Sequence, residues 1–166
     1  RKAWVYIAWS MNCLGLERFD DAVEKIGMAV QLLEEPGNRW GLASAWECLA
    51  AVYLTQKRPG KSRKILEKAL SVIKGYGLTV TRAILENTYA ATLLDEHRFQ
   101  EALERLESSV VSLESAAYHR FNNLILNARA HAGLDNISAA FSCLEKACEL
   151  AATHAYERFI LLEQSW

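Results

Sequence analysis

The chain has 166 residues, 51% of them hydrophobic and 23% charged, with a formal net charge of −1. That length and composition suit one folded domain with a substantial core, and exclude a disordered, collagen-like or disulfide-scaffolded chain. The near-neutral charge argues against direct contact with nucleic acid, and no run reaches the roughly 18 apolar residues of a membrane span.

Apolar residues recur at helical spacing along the whole chain, predicting helices over 3–15, 19–34, 39–56, 60–74, 79–96, 99–114, 118–132, 136–151 and 154–164. The first follows Arg1-Lys2 and is uncharged from Ala3 to Leu16, the outline of a signal peptide. Trp4, Tyr6, Trp9 and Asn12, and the want of a small-x-small cleavage site, favour a helix of the folded domain instead. Pro36-Gly37-Asn38 ends the second helix, and Pro59 suits the first turn of the fourth. Gly75-Tyr76-Gly77 and Gly133-Leu134-Asp135-Asn136 mark later turns. Exposed ion pairs are expected at Asp21/Lys25 and Glu101/Arg105. Cys13, Cys48, Cys143 and Cys148 sit singly in apolar patterns and read as reduced core residues of a cytoplasmic protein. The first residue is not methionine, which suggests a piece of a longer protein.

One pattern recurs four times: a small residue, a large apolar residue four positions on, and a small residue three further. It reads Ala22-Ile26-Ala29, Ser62-Leu66-Ala69, Ala102-Leu106-Ser109 and Ala140-Leu144-Ala147, at spacings of 40, 40 and 38. A second helical face precedes each copy, as in Trp46, Leu49, Ala50 and Tyr53. Each unit is therefore a pair of antiparallel helices whose small residues let the backbones approach. The expected architecture is all-α, a right-handed superhelix of four helix pairs over 3–36, 38–75, 78–115 and 117–152, closed by a helix at 154–164.

Trp46-x2-Leu49-Ala50-x2-Tyr53 followed by Ser62-x3-Leu66-x2-Ala69 resembles the tetratricopeptide repeat. All four units match the second-helix half of its pattern; only the second matches the first-helix half well, and the period of 38–40 exceeds that family's 34. Ala140 to Ala152, followed by Ala155-Tyr156-Glu157-Arg158-Phe159, is similar to the end of MalT-like repeat domains of LuxR-type transcription activators. There the last helix opens on G-Y-x-R-x-F; here Ala155 replaces the glycine and Phe159 follows Arg158 directly. The resemblance implies a non-catalytic binding domain of a larger bacterial regulator. A general interaction or oligomerisation scaffold is the alternative.

In such a solenoid the first helix of each pair lines the concave side. The repeat frame places Trp4, Ile7 and Met11, Glu47 and Ala51, Asn87 and Ala91, and Asn122 and Arg129 there. A protein, peptide or small-molecule effector is the expected occupant, with Ala51 and Ala91 leaving room for it. Trp4, Ile7 and Met11 equally suit packing against a preceding repeat. The carboxylate clamp of tetratricopeptide co-chaperones is not reproduced, since Glu47 would repel a carboxylate.

No catalytic group, metal set or cofactor motif emerges. Gly60-Lys61-Ser62 lacks the first glycine and the preceding strand of a phosphate-binding loop. Lys57, Arg58, Lys61, Arg63 and Lys64 cluster at an interhelical turn and read as a solvated or intramolecular docking patch. Cys143 and Cys148 are not at zinc-ligand spacing. The repeat frame makes one stability prediction: Ala69→Leu overpacks the helix–helix contact and lowers stability by about 1–3 kcal/mol, read from thermal melting.

Overall fold

The computed structural model describes residues 1–34, 38–113 and 116–153. They form α1 (Lys2–Gly15), α2 (Phe19–Leu33), α3 (Arg39–Thr55), α4 (Pro59–Ile73), α5 (Thr79–Asp95), α6 (Phe99–Ser109), α7 (Ala117–Gly133) and α8 (Ile137–Thr153). No strand occurs among the described residues. The expected sixth helix is shorter, its last turn tightening to a 3-10 turn at Val110–Leu113, which opens on β-branched Val110, a weaker helix former. The expected final helix at 154–164 and the Pro36-Gly37 break lie outside the described residues.

The helices pack as four consecutive pairs, α1 with α2 through α7 with α8. Each second helix also lies against the first helix of the next unit. First helices touch one another in succession, whereas no two second helices meet among the described residues. The first-helix layer is thus the tighter one and forms the inner side of the curve.

The small–large–small pattern is the seam within each pair. In the first three units all nine of its residues are at most 2% exposed. In the fourth, Ala140 and Ala147 are buried but Leu144 is 40% exposed, because nothing among the described residues covers that side of α8. The expectation of four core cysteines fails for the same reason. Cys13 and Cys48 are buried, Cys143 is half-buried and Cys148 is exposed. Units also key together at Phe99, whose ring fills the space beside Gly133; a Cβ there would lie 2.5 Å from it.

The turns inside the units share one backbone conformation that residue identities conceal. Glu17, Lys57, His97 and Asp135 all have φ between 56° and 58°. Arg18 N–H donates to the Cys13 carbonyl and Glu17 N–H to the Leu14 carbonyl. The same two bonds recur at Arg58 and Lys57, Arg98 and His97, and Asn136 and Asp135. This is a Schellman closure, built four times without the glycine it favours.

The two expected i,i+4 ion pairs are not the ones formed. Asp21 pairs with Arg18 and Lys25 with Glu24. Glu101 pairs with Arg98, and Arg105 reaches across to Glu86 on α5 while lying over the Tyr89 ring. Arg18 and Arg98 stand at the helix starts, three residues before the acids, and so reach them first.

Relieving a left-handed turn should stabilise the fold. Glu17→Gly is expected to raise stability by about 0.5–1 kcal/mol, a melting increase of about 1–4 °C for a chain of this size. Chemical denaturation measures it, and an unchanged midpoint would refute the strain assigned to the turn.

Candidate functional site

A hollow of about 220 Å³ opens in the first-helix layer. Its walls come from four stacked first helices: Trp4 and Ile7 of α1, Trp40, Ser44 and Glu47 of α3, Ile84 of α5 and His119 of α7. Parallel first helices bring positions of similar register side by side. Trp4 meets Trp40 with ring centroids 4.7 Å apart and planes tilted by 40°. Both rings remain accessible, at 37% and 52% exposure. Ser44 occupies the position in unit two that Trp4 holds in unit one, and its small side chain leaves the space open.

Glu47 supplies the charge of the hollow. It is half-buried; the Thr88 hydroxyl donates to its Oε1 at 2.7 Å, and the Cys48 thiol lies 3.8 Å from its Oε2. Loss of solvent raises the carboxyl pKa, and these two hydrogen bonds only partly oppose the rise. The Cys48 thiol is pushed up in turn by burial and by the Glu47 charge, and stays protonated. Burial lowers the pKa of His119, favouring a neutral ring.

Three other acids of the helix seams have two cationic partners each. Glu86 holds Arg82 and Arg105, Asp95 holds Lys57 and Arg129, and Glu96 holds Arg63 and Arg98. Among the described residues Glu47 has none.

Trp4, Ile7 and Glu47 of the expected set share this hollow. Met11, 44% exposed, lies a turn along α1 from Ile7. Ala51 and Ala91 are half-buried one turn beyond Glu47 and Asn87, and Asn122 is half-buried on α7. Arg129 is set apart from Glu47 and pairs with Asp95 at 3.5 Å. Asn87 is 1% exposed and turned into the seam between units three and four. Its amide donates to the His119 backbone oxygen at 3.0 Å, while its carbonyl accepts from Asn123 at 2.8 Å. Asn123 in turn donates to Ser109, tying α5, α6 and α7 together.

Trp40 and His119 are the two aromatic lining residues the repeat frame passed over. Each lies about one turn ahead of the aligned first-helix positions, and the missed signal was an aromatic side chain at a helix start. Two of the five basic residues of the turn meet acids inside the molecule, Lys57 with Asp95 and Arg63 with Glu96, and the Lys61 ammonium stands over the Tyr53 ring. A larger cavity of about 480 Å³ lies between α4, α5 and α6, around Glu67, Arg82, Glu86, Tyr89 and Arg105. Within it Tyr89 donates to Glu67, and both arginines hold Glu86. No group of three metal-ligating side chains occurs among the described residues, and no described helix is long and apolar enough to cross a membrane.

Residues 41–110 match the tetratricopeptide repeat family model. No curated protein matches the chain. Among solved structures, a Rap protein complexed with competence and sporulation factor superposes with a TM-score of 0.80 at 20% identity, over 93% of this chain. The chain spans 44% of the length of that structure. A putative kinesin light chain of Podosopora anserina with nearly identical TPR-like repeats gives a TM-score of 0.43 at 13% identity, covering 92% of this chain and 96% of that one. The fold is thus a tetratricopeptide-like helical repeat.

The buried asparagine network predicts a stability effect at a groove-frame position. Asn87→Ala leaves the His119 carbonyl and Asn123 amide short of a partner and should cost about 1–3 kcal/mol. Urea denaturation measures it, and a loss under about 0.5 kcal/mol would show that these bonds contribute little.

Proposed function

We propose that the chain is a non-catalytic, protein- or ligand-binding repeat domain of a larger bacterial regulator acting in the cytoplasm, with the first-helix groove as its binding surface. The observation that carries this reading is the hollow itself: two accessible tryptophan rings and a carboxylate with no cationic partner among the described residues converge on the inner layer of the solenoid. Pockets of this kind pair an apolar wall with a few polar groups that fix orientation. The Rap structure offers a parallel, a protein of this fold in complex with a factor. The transcription-activator setting rests on the resemblance of Ala140–Ala152 and Ala155–Phe159 to the close of MalT-like domains. In that setting a bound partner acts by favouring one arrangement of the neighbouring domains.

A second reading, an oligomerising scaffold, draws on the outer side of the first unit. Val5, Trp9, Met28 and Leu32 are all exposed on α1 and α2, an apolar set of the kind that mediates association. Sedimentation over a concentration series separates the readings. Tight dimerisation blocked by Trp9→Glu, with no occupant in the groove, would favour the scaffold.

The groove reading is tested by panning a random peptide library against the whole chain. Ser44→Trp fills the hollow from its floor and should weaken the selected peptides by at least about tenfold, with melting unchanged. Selected peptides that bind Ser44→Trp as well as the parent would remove the groove as the site.

A further inference from the structure

We infer that the groove recognises a lysine or arginine side chain of a partner polypeptide, its cationic head on the Glu47 carboxylate and against the Trp4–Trp40 rings. The inference rests on the groove reading above and adds the chemistry of the occupant. Three observations meet at one place.

The first is charge. Among the described residues Glu47 has no cation beside it, whereas Glu86, Asp95 and Glu96 each hold two. Burial raises the Glu47 carboxyl pKa, and a cation entering the hollow would draw the group back to its ionised form and gain a counter-ion. Its partners in the hollow are neutral donors, the Thr88 hydroxyl and the Cys48 thiol, and the lining His119 is held towards its neutral form by burial.

The second is the aromatic wall. Indole faces are the side chains best suited to an ammonium or guanidinium, and the two accessible rings lie on the same hollow as Glu47. The protein uses this chemistry within itself: the Lys68 ammonium stands 4.3 Å from the Trp46 ring centroid, and Lys25 stands over Trp9.

The third is shape. Ile7, Ala43 and Ile84 give the hollow an apolar lining beside the carboxylate. A long aliphatic stem carrying a charge at its tip fits that gradation, because the stem buries against apolar surface while the head finds its counter-ion. A carboxylate or phosphate would meet Glu47 with like charge.

The test uses the panned peptides and the whole chain. Selected sequences should share a lysine or arginine, and replacing it with norleucine should weaken binding by at least about tenfold. Glu47→Gln, which keeps the side-chain shape, should produce a similar loss against the lysine peptide and little against the norleucine one. Thermal melting of Glu47→Gln confirms that it folds. If Ser44→Trp abolishes binding but Glu47→Gln does not, or if the selected peptides lack a basic residue, the cation inference falls while the groove reading stands. If Ser44→Trp has no effect, or no peptide is enriched, both fall.

Discussion

Each unit closes because three positions on its second helix, small then large then small, meet the first helix across a distance that only alanine or serine permits. Ala22, Ser62 and Ala102 are fully buried, and the central Ile26, Leu66 and Leu106 fill the remaining gap. Close packing at near-crystalline density leaves such a seam little tolerance for a larger side chain. From this contact the rest of the architecture follows. A pair so closed presents a second-helix flank to the next first helix, and the first helices come to lie in one continuous layer.

Between units, polar and charged contacts set the register that apolar packing alone leaves loose. Asp95 is held from both sides, by Lys57 of unit two and Arg129 of unit four. Ser62 and Thr92 share a buried hydrogen bond at 3.0 Å between units two and three. Asn87, Asn123 and Ser109 form a network between three and four. Buried polar groups that find one another in this way favour one stacking arrangement, since a slip would strand several of them at once. The same accounting makes Glu47 stand out. Its neighbours in the seams are neutralised, and it is left facing the groove with a single short hydrogen bond from Thr88.

The period of the apolar pattern and the placement of proline and glycine were enough to give the eight helices of the described residues, their pairing and the identity of the seam, because these are local or strictly periodic properties. The likeness to tetratricopeptide repeats followed from the same residues, and residues 41–110 match that family's model. Trp4, Ile7 and Glu47 were legible as a set because first helices stack in a fixed register. The sequence alone could not show that Glu17, Lys57, His97 and Asp135 share one backbone conformation. No residue preference links a glutamate, a lysine, a histidine and an aspartate; the common factor is the hydrogen-bonding demand of a helix end that must turn at once into the next helix.

Nor could periodicity tell a side chain facing the groove from one facing the seam on the same helix. Asn87 stands one unit after Glu47 in the repeat, yet it is buried against α7 while Glu47 opens onto the hollow. What separates them is the partner each meets on the adjacent helix, a backbone carbonyl for Asn87 and the Thr88 hydroxyl for Glu47. The assembly of Trp40 and His119 with Trp4 is likewise a product of stacking, from residues more than 30 positions apart. Repetition along the chain determined which helices pair and through which residues. The tertiary structure decided which polar groups satisfy one another and which remain available, because those matches are made across units, where sequence distance carries no information.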